Sequence, residues 1–393
     1  MAISKKIEGF ISQSSWIRKM FEDGIRLKKE YGAKNVFDFS LGNPNVGPPE
    51  RFKELLVEVA REDVPGIHGY MPNAGLEDTR SAVAEYLCKE HSVNLSWEHI
   101  IMTCGAGGAL NVALKTLLDP GDEVIIPTPF FVEYKFYVDN HGGVSKLVET
   151  NEDFSLDFDA MSSAITEKTK VILINSPNNP TGKVYNERSI QNLGSLLEKK
   201  SKEFGKEIYL ISDEPYSTIV YDGIKVPSVF QAYKNSIIAT SYSKSMSIPG
   251  ERIGYLALNP DMADIEILTS GMILCNRIIG FVNAPAFMQR VIGKMQGITV
   301  DVETYKRKRD LLCEGLSFLG YQFEKPGGAF YLFPKTPIEN DVEFVSCLQK
   351  KNILTVPGRG FGKSGHIRIA YCVDDSTIIN AMEGFGDVMK KYR

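Results

Sequence analysis

Lys244 is the residue whose surroundings point most directly to chemistry. It lies in the polar segment 241–252, which begins SYSK and directly follows the apolar run 236–240, a run typical of a buried strand. The hydroxyls, the amine and the guanidinium of Arg252 in this segment can together hold a phosphate. A partly desolvated amine can also lose its proton and form an imine with an aldehyde. The segment therefore predicts a site for a ligand with a phosphate and an aldehyde; the alternative is an ordinary solvated loop lysine.

Asp213 ends a second apolar, β-branched run, residues 207–213. A carboxylate in this position must find a cation or several donors, because an unpaired buried charge is costly. A protonated pyridine nitrogen would satisfy it, and a helix N-cap is the alternative. Tyr216 follows shortly after and could hydrogen-bond a phenolate oxygen, or it could simply pack in the core.

A glycine-rich turn, Gly105-Ala106-Gly107-Gly108, precedes a helix pattern over residues 109–115. The bare N–H groups and the positive dipole end at the start of a helix bind phosphate. A tight strand-to-helix turn needs glycine in any case, and the spacing is not that of a dinucleotide fingerprint or a P-loop. We therefore interpret the turn as a candidate phosphate site, with a plain structural turn as the alternative.

Three further residues could contact a ligand at the same place. Asn179 lies in the turn NNPTG, Phe131 could lie flat on an aromatic ring, and Arg368 alternates with apolar residues on a strand. A carboxylate bound by two hydrogen bonds would suit the guanidinium of Arg368. The alternatives are a plain turn, core packing and a solvent-facing strand residue, respectively.

The elements that must position these residues alternate along the chain. Short apolar strands are predicted at 123–127, 170–175, 207–213 and 236–240, with a helical stretch at 187–204. Apolar strands separated by helices indicate a mainly parallel sheet that is covered on both faces. Ligands of such sheets bind at the carboxyl ends of the strands. The sequence therefore predicts an α/β fold whose large domain has a mainly parallel sheet sandwiched by helices.

The pattern changes after about residue 285. An amphipathic stretch at 300–319, short strands around 329–333 and 366–370, and a last helix at 376–391 indicate a smaller α+β domain. We expect three parts: an N-terminal arm that also belongs to the small domain in 1–45, a large cofactor-binding domain in 46–284, and a small C-terminal domain in 285–393.

Composition excludes several classes of function. The chain has 393 residues, too many for one hydrophobic core, and its 43% hydrophobic and 24% charged residues are those of an ordinary soluble protein. A net charge of −4 without a long basic block gives little support to nucleic-acid binding. No signal-peptide core or membrane-spanning stretch is evident, so we expect a cytoplasmic protein without a membrane partner. The six cysteines and five histidines lack metal-type spacing, so we expect reduced thiols and no metal site.

Together these residues resemble the class I and II aminotransferases, a fold type I pyridoxal-phosphate family similar to aspartate aminotransferase. The resemblance extends from about residue 38 to residue 371. The motifs that carry it occur in the family's order: Tyr70-x4-Gly75, Asn179-Pro180-Thr181-Gly182, Asp213-Glu214-x-Tyr216 and Ser241-x-Ser243-Lys244-x7-Arg252-Ile253-Gly254-Tyr255. Glu251 and Pro249 replace a frequent Trp and Thr, but neither position would touch the reactive carbon of the cofactor.

The resemblance implies pyridoxal 5'-phosphate as the cofactor and gives each matching residue a role. Lys244 would bind the cofactor aldehyde covalently and move a proton, and Asp213 would pair with the pyridinium nitrogen. Tyr216 and Asn179 would hydrogen-bond the ring hydroxyl oxygen, and Phe131 would stack on the ring. The phosphate would be surrounded by Gly105, Ala106, Gly107, Ser241, Ser243 and Arg252.

The same resemblance implies how the substrate and a second subunit would take part. Arg368, Asn179 and the backbone N–H of Gly42 would hold the substrate α-carboxylate. Tyr70 would reach the phosphate of the other subunit, which implies a homodimer with shared active sites.

The expected activity is transamination, the pyridoxal-phosphate-dependent transfer of an amino group between an L-amino acid and a 2-oxo acid (EC 2.6.1.-). The alternative is another reaction on the same cofactor, such as β-elimination, decarboxylation or oxidation, since a fold does not fix the reaction type. The short N-terminal arm argues against a regulator with a DNA-binding domain, and an imine-forming enzyme without a cofactor would leave Asp213 unexplained. The substrate stays open, because Arg277 or Arg359 could receive a distal carboxylate while several aromatic residues permit a bulky apolar side chain.

Overall fold

The computed structural model describes residues 3–13 and 15–392 of the chain. Its α-helices are α1 (Lys5–Gln13), α2 (Ser15–Tyr31), α3 (Glu50–Ala60), α4 (Glu77–His91), α5 (Gly105–Leu117), α6 (Tyr134–Asn140), α7 (Phe158–Ala164), α8 (Glu187–Phe204), α9 (Val229–Ala232), α10 (Tyr242–Ser245), α11 (Ile265–Ile278), α12 (Ala286–Gly293), α13 (Val302–Phe318), α14 (Asp341–Gln349) and α15 (Asp375–Lys390). Its strands are β1 (Phe37–Asp38), β2 (Ile100–Thr103), β3 (Glu123–Thr128), β4 (Val144–Glu149), β5 (Thr169–Asn175), β6 (Tyr209–Asp213), β7 (Ser236–Ser241), β8 (Gly254–Leu258), β9 (Tyr331–Leu332), β10 (Ile353–Leu354), β11 (Val356–Pro357) and β12 (Ile367–Ala370). In this part of the chain, none of the helices combines the length and apolar character that crossing a membrane requires.

Seven strands form the central sheet, in the order β2-β8-β7-β6-β5-β3-β4. β8 runs antiparallel to both of its neighbours, and the other pairs are parallel. The strands between the two edges are almost entirely buried, as expected for a sheet covered on both faces. The predicted α/β fold, with a mainly parallel sheet between helices, is confirmed.

The side chains of each strand pack alternately against two helical layers, because successive residues point to opposite faces of a sheet. On β5, Ile172 and Ile174 belong to an apolar cluster that includes Leu193 of α8. Val171 and Leu173 of the same strand belong to the cluster on the other face, which includes the buried apolar residues of α5. Burial of one such side chain stabilises the fold by about 1.5–3 kcal/mol, so the strand is held from both sides.

The bounds of α8 follow from local sequence signals. The side-chain oxygen of Asn186 accepts a hydrogen bond from the N–H of Ser189 at 2.9 Å and caps the start of the helix. Ile190 and Leu193 recur at helical spacing and are buried against the sheet. Gly205 ends the helix with a φ of 65°, which glycine adopts without steric cost. The helix therefore coincides with the stretch predicted from the sequence.

A second apolar core forms where the two ends of the chain meet. It packs α13, α14 and α15 against the antiparallel strands β11-β12-β9 and the parallel pair β1-β10. Leu27, Val36 and Phe39 from the N-terminal part share this core with Phe344 and Phe385. The predicted smaller α+β region is therefore present, while the domain boundaries 1–45, 46–284 and 285–393 stay predictions.

The carboxyl ends of the parallel strands meet at one edge of the central sheet. β5 ends at Asn175, β6 ends at Asp213 and β7 ends at Ser241. Asn175 lies directly beside Asp213 in the register of β5 and β6. Because ligands of such sheets bind at this edge, it is the place where a functional site is expected.

Candidate active site

A cavity of about 350 Å³ opens at the carboxyl edge of the sheet. Its lining includes most of the residues that the sequence singles out: Gly42, Ala106, Gly107, Phe131, Asn179, Asp213, Tyr216, Ser241, Ser243, Lys244, Arg252 and Arg368. Gly105 is not in the lining but contacts Arg252, whereas Tyr70 is outside the lining and 94% exposed. The fold thus gathers residues from separate elements around one space.

Lys244 lies in α10, the short helix that begins directly after β7. Its Nζ donates a hydrogen bond to the backbone oxygen of Gly42 at 2.7 Å and lies 5.7 Å from the ring centre of Phe330. Burial is the main cause that lowers the pKa of Lys244, to about 8, and the positive charges of Arg368 and Arg252 also lower it. At neutral pH the neutral, nucleophilic fraction of this amine is therefore far larger than for an ordinary lysine. Its position is within the cavity and not in a solvated loop.

Asp213 is buried at the end of β6. Its Oδ2 accepts a hydrogen bond from the phenol of Tyr134 at 2.5 Å, whereas its buried Oδ1 has no hydrogen-bond partner among the described residues. Burial raises the pKa of Asp213 to about 7, and the hydrogen bond from Tyr134 opposes that rise. One carboxylate oxygen therefore lacks a donor, and a ligand with an N–H group could supply it.

Asn175 connects Asp213 to the turn that carries Asn179. Its Nδ2 donates to the backbone oxygen of Asp213 at 2.8 Å, and its Oδ1 accepts from the backbone N–H of Asn179 at 2.7 Å. The Oδ1 of Asn179 accepts from Arg368 at 3.1 Å. Among the described residues the Nδ2 of Asn179 has no acceptor, so it can donate to a ligand in the cavity.

Tyr216 and Tyr331 form a pair of phenols within the cavity lining. Their hydroxyl oxygens are hydrogen-bonded at 2.8 Å. A Cβ at Gly42 would lie 1.9 Å from the hydroxyl oxygen of Tyr331, so glycine at position 42 makes room for this ring. Burial raises the pKa of Tyr216 well above its usual range, which keeps the phenol protonated. Tyr216 can therefore donate a hydrogen bond to a ligand oxygen while it accepts one from Tyr331.

Arg368 extends from β12 into the cavity between two aromatic rings. Its guanidinium carbon lies 4.9 Å from the ring centre of Tyr331 and 4.8 Å from that of Phe361. Nη1 donates to Asn179, Nη2 donates to the backbone oxygen of Ser40 at 2.6 Å, and the buried Nε has no partner within the described residues. Burial lowers the pKa of Arg368, and neither of these two partners is an anion. A buried cation without an anion is costly, so a carboxylate ligand would stabilise this arrangement.

Arg252 lines the cavity, and Gly105 lies directly behind its guanidinium. Both have positive φ values, 71° and 52°, and a Cβ at Gly105 would lie 2.8 Å from Nη2 of Arg252. α5 begins at Gly105, earlier than the predicted start near residue 109, because glycine tolerates this backbone turn. Cys104, at the N-cap, makes no side-chain capping bond, so the first N–H groups of the helix stay available. Together with the hydroxyls of Ser241 and Ser243, these groups suit a phosphate.

Sequence reasoning missed Tyr134, Glu133 and Tyr137. Tyr134 holds Asp213, while Glu133 and Tyr137 lie one helical turn apart and line the cavity. Burial raises the pKa of Glu133, and burial followed by the Glu133 charge raises the pKa of Tyr137 to about 12. Glu133 and Tyr137 are four residues apart and follow Phe131 closely. Because residues four apart share one face of a helix, this spacing was the sequence signal that could have placed both beside the ligand.

Arg359 and Arg277 lie outside the cavity lining. The Nε and backbone N–H of Arg359 donate to the two carboxylate oxygens of Asp341, at 2.6 Å and 2.7 Å. Arg277 is exposed near the end of α11. The hypothesis that one of these arginines receives a distal carboxylate therefore gains no support from the cavity of a single chain.

Comparisons with known proteins agree on one family. A family model described as "Aminotransferase class I and II" matches residues 34–385. The chain is 32% identical over 377 residues to a protein named "Probable aspartate aminotransferase" from Methanocaldococcus jannaschii, which covers 94% of this chain and 97% of that protein. The structure of an amino transferase from Eubacterium rectale matches with a TM-score of 0.97 and 41% identity over 100% of both chains. Aspartate aminotransferase from Thermus thermophilus with maleate matches with a TM-score of 0.86 and 28% identity, over 99% of this chain and 100% of that chain.

These relatives are named for transamination, so other reactions on the same fold are not favoured. Class I and II aminotransferases use pyridoxal phosphate and move an amino group between an amino acid and a 2-oxo acid. The resemblance seen in the sequence motifs is confirmed over nearly the whole chain. This protein belongs to the class I and II aminotransferase family.

Proposed function

We propose that this protein is an amino-acid aminotransferase that binds pyridoxal 5'-phosphate covalently through Lys244. The observation that carries the proposal is that one cavity holds a lysine with a lowered pKa, an aspartate with one unpartnered oxygen and an arginine without an anionic partner, all judged among the described residues. These are Lys244, Asp213 and Arg368. Each lacks a partner that the cofactor or an amino acid would provide.

The cavity fits pyridoxal phosphate group by group. The free Oδ1 of Asp213 matches a protonated ring nitrogen. The start of α5 and the guanidinium of Arg252 match the phosphate. Tyr216 and the Nδ2 of Asn179 match the ring oxygen, and Phe131 offers an aromatic face for the ring. The roles predicted from the sequence are therefore retained as the proposal.

When bound, pyridoxal phosphate supplies the electron-withdrawing ring that makes the Cα proton of an amino acid acidic. Lys244 would take that proton on Nζ and deliver it to the former aldehyde carbon of the cofactor, since its pKa of about 8 suits both steps near neutral pH. Arg368 would bind the α-carboxylate through its fixed guanidinium and so orient the Cα–H bond. Asp213 would keep the ring nitrogen protonated, and Tyr134 would hold Asp213 in its ionised form.

We further propose a homodimer in which Tyr70 contributes to the partner's site. The side chain of Tyr70 is 94% exposed in a single chain, as expected for a residue that contacts another subunit. A cytoplasmic location fits the composition and the six free cysteines, all of which lie in the described residues. The expected small-molecule partners are an amino acid and a 2-oxo acid.

A half-reaction tests the proposal. Purified protein, loaded with pyridoxal phosphate, is mixed with an amino donor in the absence of any oxo acid. We expect one 2-oxo acid and one pyridoxamine phosphate per active site, detected by mass spectrometry. Release of carbon dioxide or ammonia in their place would show another reaction type and overturn the proposal.

A further inference from the structure

Glu133 is a carboxylate in the cavity lining whose side chain pairs with no other described residue. It directly precedes α6 and is half-buried. An acidic side chain at this position often accepts hydrogen bonds from the first N–H groups of the helix, but that of Glu133 makes no capping bond. Within residues 3–13 and 15–392 it forms neither a side-chain hydrogen bond nor an ion pair. The local fold therefore does not explain this carboxylate.

The cations in the cavity lining are all needed elsewhere. In the described part of the chain these are Lys244, Arg252 and Arg368. By the proposed function, Lys244 reacts, Arg252 faces the phosphate and Arg368 binds the α-carboxylate. A second, distal carboxylate on a substrate would find no free cation in this lining, and it would meet the negative charge of Glu133.

Among the described residues no cation pairs with the carboxylate of Glu133, and its neighbour along α6 in the cavity lining is a phenol. Tyr137 lies one turn further along α6 and also lines the cavity. A Cβ at Gly107 would lie 3.0 Å from the hydroxyl oxygen of Tyr137, so glycine keeps this side of the cavity open. An open space bordered by a carboxylate and a phenol suits a side chain that donates hydrogen bonds or carries positive charge.

We infer that Glu133 determines substrate specificity by charge: it favours amino donors with a cationic or amide side chain and disfavours aspartate and glutamate. This inference rests on the proposed function and concerns the same site. It differs from what the names of the relatives suggest, since these include aspartate aminotransferases and one structure with maleate, a dicarboxylate.

Pairs of amino donors that match in shape and differ in charge test the inference. With the pyridoxal-phosphate-loaded enzyme, kcat/KM is measured for asparagine against aspartate and for glutamine against glutamate. We expect the amide to exceed the acid by at least about tenfold, the effect of one like charge at short range in a partly buried site. In Glu133→Gln this ratio should fall at least fivefold, and in Glu133→Lys it should invert. Glu85→Gln, which replaces an exposed glutamate of α4, should leave the ratio unchanged.

A binding measurement separates specificity from turnover. Calorimetry on the loaded enzyme compares succinate with succinamate, which differ by one charge and do not react. Tighter binding of succinamate, with a preference that is lost in Glu133→Gln, supports the inference. A preference for succinate or aspartate that Glu133→Gln does not change overturns the inference. A dicarboxylate preference that disappears in Arg277→Ala also overturns it, because an arginine of the partner subunit would then set the specificity. If no donor yields a 2-oxo acid, the proposed function itself fails.

Discussion

Tyr134→Phe removes one oxygen atom and, with it, the one hydrogen bond that the Asp213 carboxylate receives within the described residues. A hydrogen bond to a charged group contributes about 1.5–3 kcal/mol, which corresponds to about 1–2 pKa units. This bond lowers the pKa of Asp213, which is about 7 in the intact protein. Its loss should therefore raise that pKa by about 1–2 units.

Binding of pyridoxamine 5'-phosphate to the apoprotein reports this change. This molecule has the ring nitrogen but no aldehyde, so the covalent step at Lys244 does not contribute. Asp213 is ionised above its pKa and neutral below it, and only the ionised form attracts the pyridinium. Affinity should therefore decline as the pH falls through about 7 in the wild type, and already through about 8–9 in Tyr134→Phe.

The matched control is Tyr185→Phe. Tyr185 is also buried, and among the described residues its hydroxyl has no hydrogen-bond partner. We expect this variant to keep the wild-type pH profile of binding. Coincident profiles for the wild type and Tyr134→Phe, or an equal shift in the control, would refute the reasoning.

Three further predictions concern separate parts of the structure. Arg368→Lys should raise the KM for amino acids about 10- to 100-fold with little change in cofactor affinity, since a charge-assisted hydrogen bond contributes about 1.5–3 kcal/mol. The control for these kinetics is Arg359→Lys, because Arg359 lies outside the cavity. The rate at which apoprotein takes up pyridoxal phosphate should rise with pH around a midpoint of about 8, because burial favours the neutral amine of Lys244; a midpoint near 10.5 in stopped-flow absorbance would contradict this. Gly194→Ala should lower the free energy of unfolding in urea by about 1–3 kcal/mol despite the better helix propensity of alanine. The reason is that its Cβ would lie 2.1 Å from a carbonyl oxygen at the end of α9. Gly250→Ala is the control, because the space around Gly250 is open and the free energy of unfolding should change little.

The elements that carry the site could be predicted because their signals are local. Buried strands show as β-branched runs, and α8 has a cap at Asn186, an apolar stripe and a terminal Gly205. The strand end at Asp213 followed from the same runs, and the next strand ends at Ser241, one residue beyond its predicted end; parallel strands place such ends together. The family motifs then supplied roles that spacing alone could not assign.

The contacts that tune the site depend on packing between distant parts of the chain. Tyr134 and Asp213 are 79 positions apart, and Tyr216 and Tyr331 are 115 apart. Only the packing of α6 beside the end of β6, and of β9 beside the segment that follows β6, makes them neighbours. Nothing in the local sequence around Tyr331 predicts that its hydroxyl occupies the space beside position 42.

The central claim is that the amine at position 244 forms the covalent bond to pyridoxal phosphate. Borohydride treatment of the loaded enzyme, followed by peptide mass spectrometry, tests it directly. We expect the visible absorption to bleach and one reduced cofactor to be attached to the peptide containing Lys244, with no such label in a Lys244→Ala variant. A label on a different lysine, or an unlabelled peptide after saturation with the cofactor, would contradict the account.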